Sequence, residues 1–537
     1  KHRTVMRLLR LGLLAVALLL HTTAALKFLS WNPIFAHSHA NFIGKVADTL
    51  AEAGHEVVML SPVIHKGYPN ITSKRARIIH VEGNELTKQY AALHDSIAGD
   101  EMWTSSQTNP YGFTQFIERV VPFWAEMCQI VLRNSALLTQ LREERFDGAF
   151  GEYTNLCGFG LFHILGIKKY AVTQTMASID DSYITGVPLF PSFTPSVTSL
   201  HGDQMSFSER VSNMIFIYFN HWTYHHIRIG INRVLKEFDS TIPCVDDIVR
   251  NSSYFFLNTE ALVDFPRIVS RKMVDIGGIA VPTTFKPLEE PLSSILSLRP
   301  QTVYISFGTV MLTHLMPESF KMSIRKLALA MPNVTFIWKY EKPEDGIAVG
   351  IPNLITHTWL PQTDLLRDKR LSLFVGHGGA GSAYETALSG VPTVTVPILY
   401  DQMRNAEMLK RLGMGRIVHR DDLADSEIII EAIRDVLQND KYLERARRVA
   451  EMVASQPQSV RARLVSHFEF MAKFGPLDQL DHAGKDMGVV QFYNIDIFAF
   501  FAVALLLAFT IVIVILWKIC ACLLNVRIAI NKNKKIE

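Results

Sequence analysis

The apolar positions of this chain change period in a regular order. Leu26 to Trp31 is a short apolar run with the pattern of a buried strand. Phe42, Ile43, Val46, Ala47, Leu50 and Ala51 then recur at helical spacing, and Gly54 ends that run. Glu56 to Leu60 reads as a second strand, so strand, helix and strand within about 35 residues make one βαβ unit. A further strand near Phe146 to Phe150 ends in Gly151-Glu152. A second α/β set opens at Val303 and continues through strands at Phe336 to Trp338, Leu371 to Val375 and Thr393 to Val396, with helical stretches between them. The segment from Ala280 to Pro300 contains Pro and Glu and suits a linker. Residues 180 to 240 are aromatic-rich, carry Pro188, Pro191 and Pro195, and read as an irregular lid or acceptor wall. Ile428 to Leu437 is a late helix, and residues 440 to 490 read as helices leading towards a membrane.

Two apolar runs lie outside this alternation. Leu11 to Leu20 follows Lys1, Arg3, Arg7 and Arg10 and precedes small residues at Thr22 to Ala25, the build of a secretory signal peptide. Ile497 to Trp517 holds no charged residue, and its 21 residues reach about 31 Å as a helix, enough for a bilayer core. Lys518, Arg527, Lys532, Lys534 and Lys535 follow it, which places the tail in the cytosol and the body in the lumen. Lys534 and Lys535 stand fourth and third from the end, like a dilysine return signal. The expected product is a single-pass type I protein of the endoplasmic reticulum membrane.

Composition agrees with that layout and narrows the function. Of 537 residues, 48% are hydrophobic and 20% charged, which excludes disorder. A net charge of +3 is too small for a nucleic-acid surface. Cys128, Cys157 and Cys244 form an odd, widely spaced lumenal set that is not expected to be a disulfide framework; Cys520 and Cys522 fall at the cytosolic membrane face. Asn70, Asn251 and Asn333 head glycosylation sequons.

The chemistry concentrates between Trp359 and Gln402. Gly376-His377-Gly378-Gly379-Ala380-Gly381 is the turn after a buried strand, and Ser382 to Leu388 is the helix that follows, with Gly390 beyond. Free N–H groups and the positive dipole end make such a helix start an anion site, and glycines let a diphosphate approach closely. The same six residues fit G-x-G-x-x-G, the dinucleotide fingerprint, but the next strand, Thr393 to Val396, lacks the acid that holds ribose in that fold. A nicotinamide or flavin cofactor is therefore not expected.

From Trp359 to Gln402 the sequence resembles the donor-binding signature of the UDP-glycosyltransferases over all 44 positions without a gap. The resemblance extends to signal peptide, paired α/β domains, terminal span and dilysine tail, and around His39 and Glu152 it is most like invertebrate, nematode-type members. It implies two Rossmann-like domains facing a cleft, the GT-B arrangement, plus a transmembrane helix. The expected division is a signal peptide over 1–25, an acceptor domain over 26–280 and a UDP-sugar domain over 281–455, with helices over 456–496, the span over 497–517 and the tail over 518–537. The resemblance implies that Trp359 stacks on uracil and Gln362 bonds base or ribose. His377, Gly379 and Ser382 hold phosphates, Glu385 accepts ribose hydroxyls, and Asp401 and Gln402 bind the transferred sugar. Ser306, Gly308 and Thr309 match a first phosphate-side loop. Gly381 replaces the family's usual Asn.

A catalytic pair is expected in the other half. His37 and His39 both precede a helix expected to begin near Ala40, where the helix terminus favours neutral imidazole, and chemistry alone does not separate them. The resemblance assigns the base to His39, in its Ser38-His39 step, and the orienting acid to Glu152, five residues after Phe146-Asp147; many relatives carry Asp there. The implied reaction moves a hexose, glucose favoured and glucuronic acid next, from a UDP-sugar to a hydroxyl of a small lipophilic acceptor with inversion, as in detoxifying conjugation. A sphingolipid transferase and a non-catalytic UDP-sugar-binding subunit are the alternatives. With no Asp-x-Asp in the chain, no obligatory metal is expected, and no cofactor beyond the co-substrate. Homo-oligomerisation is left open.

Overall fold

The computed structural model describes residues 25–65, 72–96, 101–177, 179 and 181–533. The signal-peptide run, Asn70 and the two terminal lysines lie outside these. Residues up to Leu480 form one compact unit and those from Asp481 another.

The first unit holds two parallel sheets. In the N-terminal half, β1 (Lys27–Trp31) leads into α1 (His37–Glu52), β2 (Glu56–Val63) and β3 (Arg77–Glu82). Next come α2 (Gly112–Arg133), β4 (Gly148–Glu152), β5 (Tyr170–Gln174), α3 (Phe207–Phe238), β6 (Tyr254–Leu257) and β7 (Met273–Asp275). The strand order is β3-β2-β1-β4-β5-β6-β7. The C-terminal half contains β8 (Gln301–Ser306), β9 (Val334–Lys339), β10 (Leu354–His357), α4 (Gln362–Arg367), β11 (Leu371–Gly376), α5 (Ala380–Ser389), β12 (Thr393–Thr395), α6 (Asp401–Arg411) and β13 (Gly415–Ile417), ordered β10-β9-β8-β11-β12-β13. Strands β1, β4, β5 and β6, with every residue buried or nearly so, explain the unbroken apolar runs, since helices cover both faces of a parallel sheet.

Both sheets reverse their winding at one place. β1 pairs with β2 on one side and β4 on the other, and β8 pairs with β9 and β11 in the same way. Crevices open at the carboxyl ends of strands at such switch points. The carboxyl ends of β1, β4, β8 and β11 are therefore where a site is expected; Glu152 and Ser306 end β4 and β8, His377 follows β11, and His39 lies in the first turn of α1, just beyond the loop after β1.

Three regions depart from the sequence reading. The region read as an irregular lid contains α3, a 32-residue helix. Cys128 and Cys157 are disulfide-bonded, so the widely spaced cysteines do make one bridge, leaving Cys244 free. The helix α7 (Val460–Phe474) packs into the N-terminal half: Phe468 stacks on Phe256 at 4.7 Å and joins Phe28 and Phe150 in the core. The second unit contains α8 (Ile495–Asn533), 39 residues and so about 58 Å long, which is long and apolar enough to cross a membrane. Asn251 and Asn333 sit on exposed turns.

Candidate active site

The two halves enclose a cleft of about 510 Å³ that is lined by every residue named above for donor and base except Glu152, which lies directly behind His39. Its N-terminal wall is largely apolar, with Phe35, Phe113, Phe116 and Trp124; its C-terminal wall is polar.

The base candidate is built where β1 ends. α1 starts at His37, earlier than expected, with extended Ala36 as its N-cap, so His39 occupies the first helical turn rather than the loop before it. Glu152 is the last residue of β4 and is fully buried beside β1, whose Trp31 registers with Gly151. His39 Nδ1 and Glu152 Oε1 are 2.5 Å apart, so Nδ1–H donates to the carboxylate and Nε2 is the nitrogen left for a substrate proton. Burial pushes the His39 pKa down, but the charge and hydrogen bond of Glu152 and the charge of Asp401 more than offset it, and the net shift is upward. The expectation of a neutral-leaning histidine set by the helix terminus is thus corrected: two carboxylates outweigh it. His37 lines the cleft as well, and burial lowers its pKa.

Facing it, the turns after β8 and β11 close on His377. Gly308 has φ +85°, and a Cβ there would lie 2.7 Å from His377 Cε1; a Cβ at Gly379 would lie 2.5 Å from His377 Nε2. Both positions require glycine because the imidazole is packed between them. Burial, aided by the charge of Lys339, lowers the His377 pKa to about 4, so the ring is neutral and offers one N–H. Helix α5 begins at Ala380, two residues earlier than expected, and Gly379 is its N-cap. A Cβ at Gly381 would meet nothing within 4 Å, so the missing Asn leaves open cleft rather than a repacked wall. Ser306, at the end of β8, is buried and accepts from the N–H of Gly308 at 3.4 Å.

The residues expected to meet base and sugar are held in place by hydrogen bonds within the protein. Trp359 is 66% exposed, which leaves an indole face free for stacking. Gln362 Nε2 donates to Ser382 Oγ at 3.0 Å and to Glu385 Oε2 at 2.5 Å, while its Oε1 accepts from Tyr304 at 3.3 Å. Gln362 therefore orients Ser382 and Glu385. Burial raises the Glu385 pKa, and Gln362 and Thr363 partly counter that. Asp401 accepts from Asn405 Nδ2 at 3.0 Å, and burial raises its pKa too. Gln402 Oε1 accepts from the N–H groups of Ile398 and Leu399 at 2.9 and 3.1 Å, which leaves its amide N–H groups for a ligand. Sequence reasoning passed over Lys339, Thr363 and Asn405. Lys339 had a signal: the one charge in a mostly apolar strand, at the carboxyl edge of the sheet.

A family model described as "UDP-glucoronosyl and UDP-glucosyl transferase" matches residues 27–536. The Caenorhabditis elegans protein named "Putative UDP-glucuronosyltransferase ugt-48" is 30% identical over 492 residues, covering 88% of this chain and 91% of its own. The 2-hydroxyacylsphingosine 1-beta-galactosyltransferase of Mus musculus is 26% identical over 490 residues, covering 88% and 85%. Among solved structures, the calicheamicin glycosyltransferase CalG4 superposes with a TM-score of 0.57 at 14% identity, over 84% of this chain and 99% of its own. The spinosyn rhamnosyltransferase SpnG complexed with thymidine diphosphate gives 0.55 at 15%, over 83% and 100%. These structural likenesses establish the paired-domain glycosyltransferase fold. With the family model matched across nearly the whole chain, this protein belongs to the UDP-glycosyltransferase family.

Proposed function

We propose that the chain is an inverting hexosyltransferase anchored in the endoplasmic reticulum membrane with its catalytic halves in the lumen. It transfers glucose from UDP-glucose to a hydroxyl of a small lipophilic acceptor. The acceptor lies against the aromatic N-terminal wall. His39 Nε2 takes the hydroxyl proton as the oxygen attacks the anomeric carbon from the face opposite UDP, and the bond to the diphosphate breaks. Glu152 stabilises the imidazolium that forms. The neutral His377 N–H and the start of α5 receive the charge on departing UDP.

One observation carries this reading: His39, backed by Glu152 at 2.5 Å, lines the same cleft as Asp401, whose charge helps raise the His39 pKa. A subunit that only bound nucleotide-sugar would need no such pair. Lumenal placement draws support from the Cys128–Cys157 bridge, which suits an oxidising compartment, and from the basic residues that follow the terminal apolar helix. His39→Ala tests the base directly. Turnover should fall by about 10²- to 10⁴-fold while UDP binding persists; retained turnover would refute the assignment.

UDP-glucose is favoured over UDP-glucuronate by Gln402, whose amide N–H groups suit neutral hydroxyls. Competing the two donors in membranes decides it, and faster transfer from glucuronate would overturn the choice. A lipid acceptor is the second reading, favoured by the wall of Phe35, Phe113, Phe116 and Trp124 and by the likeness to the mouse sphingosine galactosyltransferase. Transfer to a ceramide in place of small phenols in an acceptor panel would select it.

A further inference from the structure

A second chamber adjoins the cleft. Its volume is about 110 Å³, and Met102, Phe113, Phe116, Leu399 and Tyr400 belong to its wall and to the wall of the cleft alike. Phe216 of α3 and Met403 of α6 line the chamber but not the cleft, so they form its far side. Aromatic and aliphatic side chains make the larger part of the wall. Two of its polar groups are committed elsewhere: Glu101 pairs with Arg119 at 2.9 Å, and Gln107 donates to the carbonyls of Pro397 and Ile398. Ser105 Oγ, also on this wall, is buried without a hydrogen-bond partner among the described residues. A cavity of roughly 150 Å³ takes benzene, so this one suits an apolar group of about four carbons.

The partition between the two spaces is thin. Phe113 and Phe116 meet the Tyr400 ring at 4.8 and 5.6 Å, tilted rather than stacked. Ile117 and Val120 on the same helix are fully buried, whereas Phe113 and Phe116 are half-buried. A half-buried ring can turn aside without breaking the core behind it, and either ring, turning, joins chamber to cleft. The aromatic wall leads there from the base. Phe35 lies 4.8 Å from His39 and 5.1 Å from Trp124, and along α2 Trp124 and Phe113 are about 16 Å apart at 1.5 Å per residue. The wall thus starts beside His39 and ends at the partition, which is the path of an elongated acceptor with its hydroxyl at the base.

We infer that this chamber is a subsite for the far, aliphatic end of an elongated acceptor, with Phe113, Phe116 and Tyr400 as its door. The inference rests on the lipophilic-acceptor reading of the cleft, and the test separates the two. Phenols with para-alkyl chains from methyl to dodecyl are offered to the full-length protein in detergent, with UDP-glucose and with UDP-glucuronate. In wild type kcat/KM should rise about fourfold per added methylene and level off once the chamber is full. Two variants fill the chamber from different sides. A Cβ on Gly112 would meet only the Asn109 side chain, at 3.7 Å, so Gly112→Leu has room, and Ser105→Leu gives up no side-chain hydrogen bond. In both, para-cresol should be turned over as in wild type, while the rise with chain length should stop about four carbons earlier. A wild-type rate that ignores chain length would overturn the inference. So would a rise that both variants leave unchanged, which places the chain elsewhere on the aromatic wall, or an equal loss at every chain length in both. A wild-type protein that transfers sugar to none of these phenols from either donor sinks the acceptor reading itself.

Discussion

His39 is pulled in two directions. Burial and the start of α1 favour neutral imidazole, while Glu152 at 2.5 Å and the charge of Asp401 favour imidazolium and prevail. As the proposed general base, His39 must be neutral to accept a proton, so kcat/KM should rise with pH through the pKa of the free enzyme's histidine. Because that pKa lies above the ordinary 6.5, the acid limb of the profile should sit above 6.5 as well. Glu152→Gln keeps an acceptor for Nδ1–H and removes the charge. The limb should move to lower pH, and the plateau should drop by about a hundredfold or more as the imidazolium loses its counter-charge. A pH profile of kcat/KM checks both, and an unmoved limb would mean that Glu152 does not govern His39.

Helix α3 and the disulfide show why some elements were hidden in the sequence. Strands with both faces covered are nearly all apolar, so β1, β4, β8 and β11 were legible, and with them the switch-point ends beyond which His39 and His377 lie. The buried face of α3 instead carries Asn213, Asn220, Thr223 and Arg228 among its apolar residues, which breaks the hydrophobic period of a helix. A start signal was present: Ser206 and Glu209 form a capping box, each side chain bonded to the other's backbone N–H. The polar face has internal partners, since Arg228 is paired with buried Asp181 and with Asp246 at 2.6 Å, and Asn213 donates to Pro191 and Thr194 at 2.8 Å. Such pairing follows tertiary contact and leaves no local period. The Cys128–Cys157 bridge was obscured for a similar reason: an odd cysteine count conceals one pair and one free thiol. It ties α2 to the segment after β4 across 29 residues and so restrains the strand end that presents Glu152. Replacing both cysteines by serine should cost about 2–4 kcal/mol. Denaturant melts of wild type and double variant would show the gap, and reductant should close it.

Seen whole, the cleft depends on how the first unit's halves are tied. The chain segment before α2 crosses to the C-terminal half, where Met102 and Trp103 join its hydrophobic core. Trp103 lies 5.5 Å from the ring of Phe307, and its Nε1 donates to Leu312 O at 3.2 Å. Buried Arg420 donates to the carbonyls of Met102 and Ser105, and Gln107 donates to those of Pro397 and Ile398 at 2.6 and 3.2 Å. In return, Tyr400 reaches the N-terminal half, with its ring 4.8 Å from Phe113 and its backbone at φ +57°, a conformation a non-glycine residue keeps only when its surroundings hold it. Gln107 and Tyr400 together fix the loop that aims Asp401 and Gln402 into the cleft. Trp103→Ala should therefore do two things. Removing a buried indole should cost about 3–5 kcal/mol, and the loss should fall on the junction, so a single thermal transition should separate into two. Donor KM should rise as the Pro397–Gln402 loop loosens, while the upward-shifted pH limb set by Glu152 should persist, though with a smaller shift as Asp401 moves away from His39. Calorimetry and donor kinetics on the same preparation test this together. One cooperative transition with an unchanged donor KM would mean that the two halves hold the cleft without the Trp103 tie.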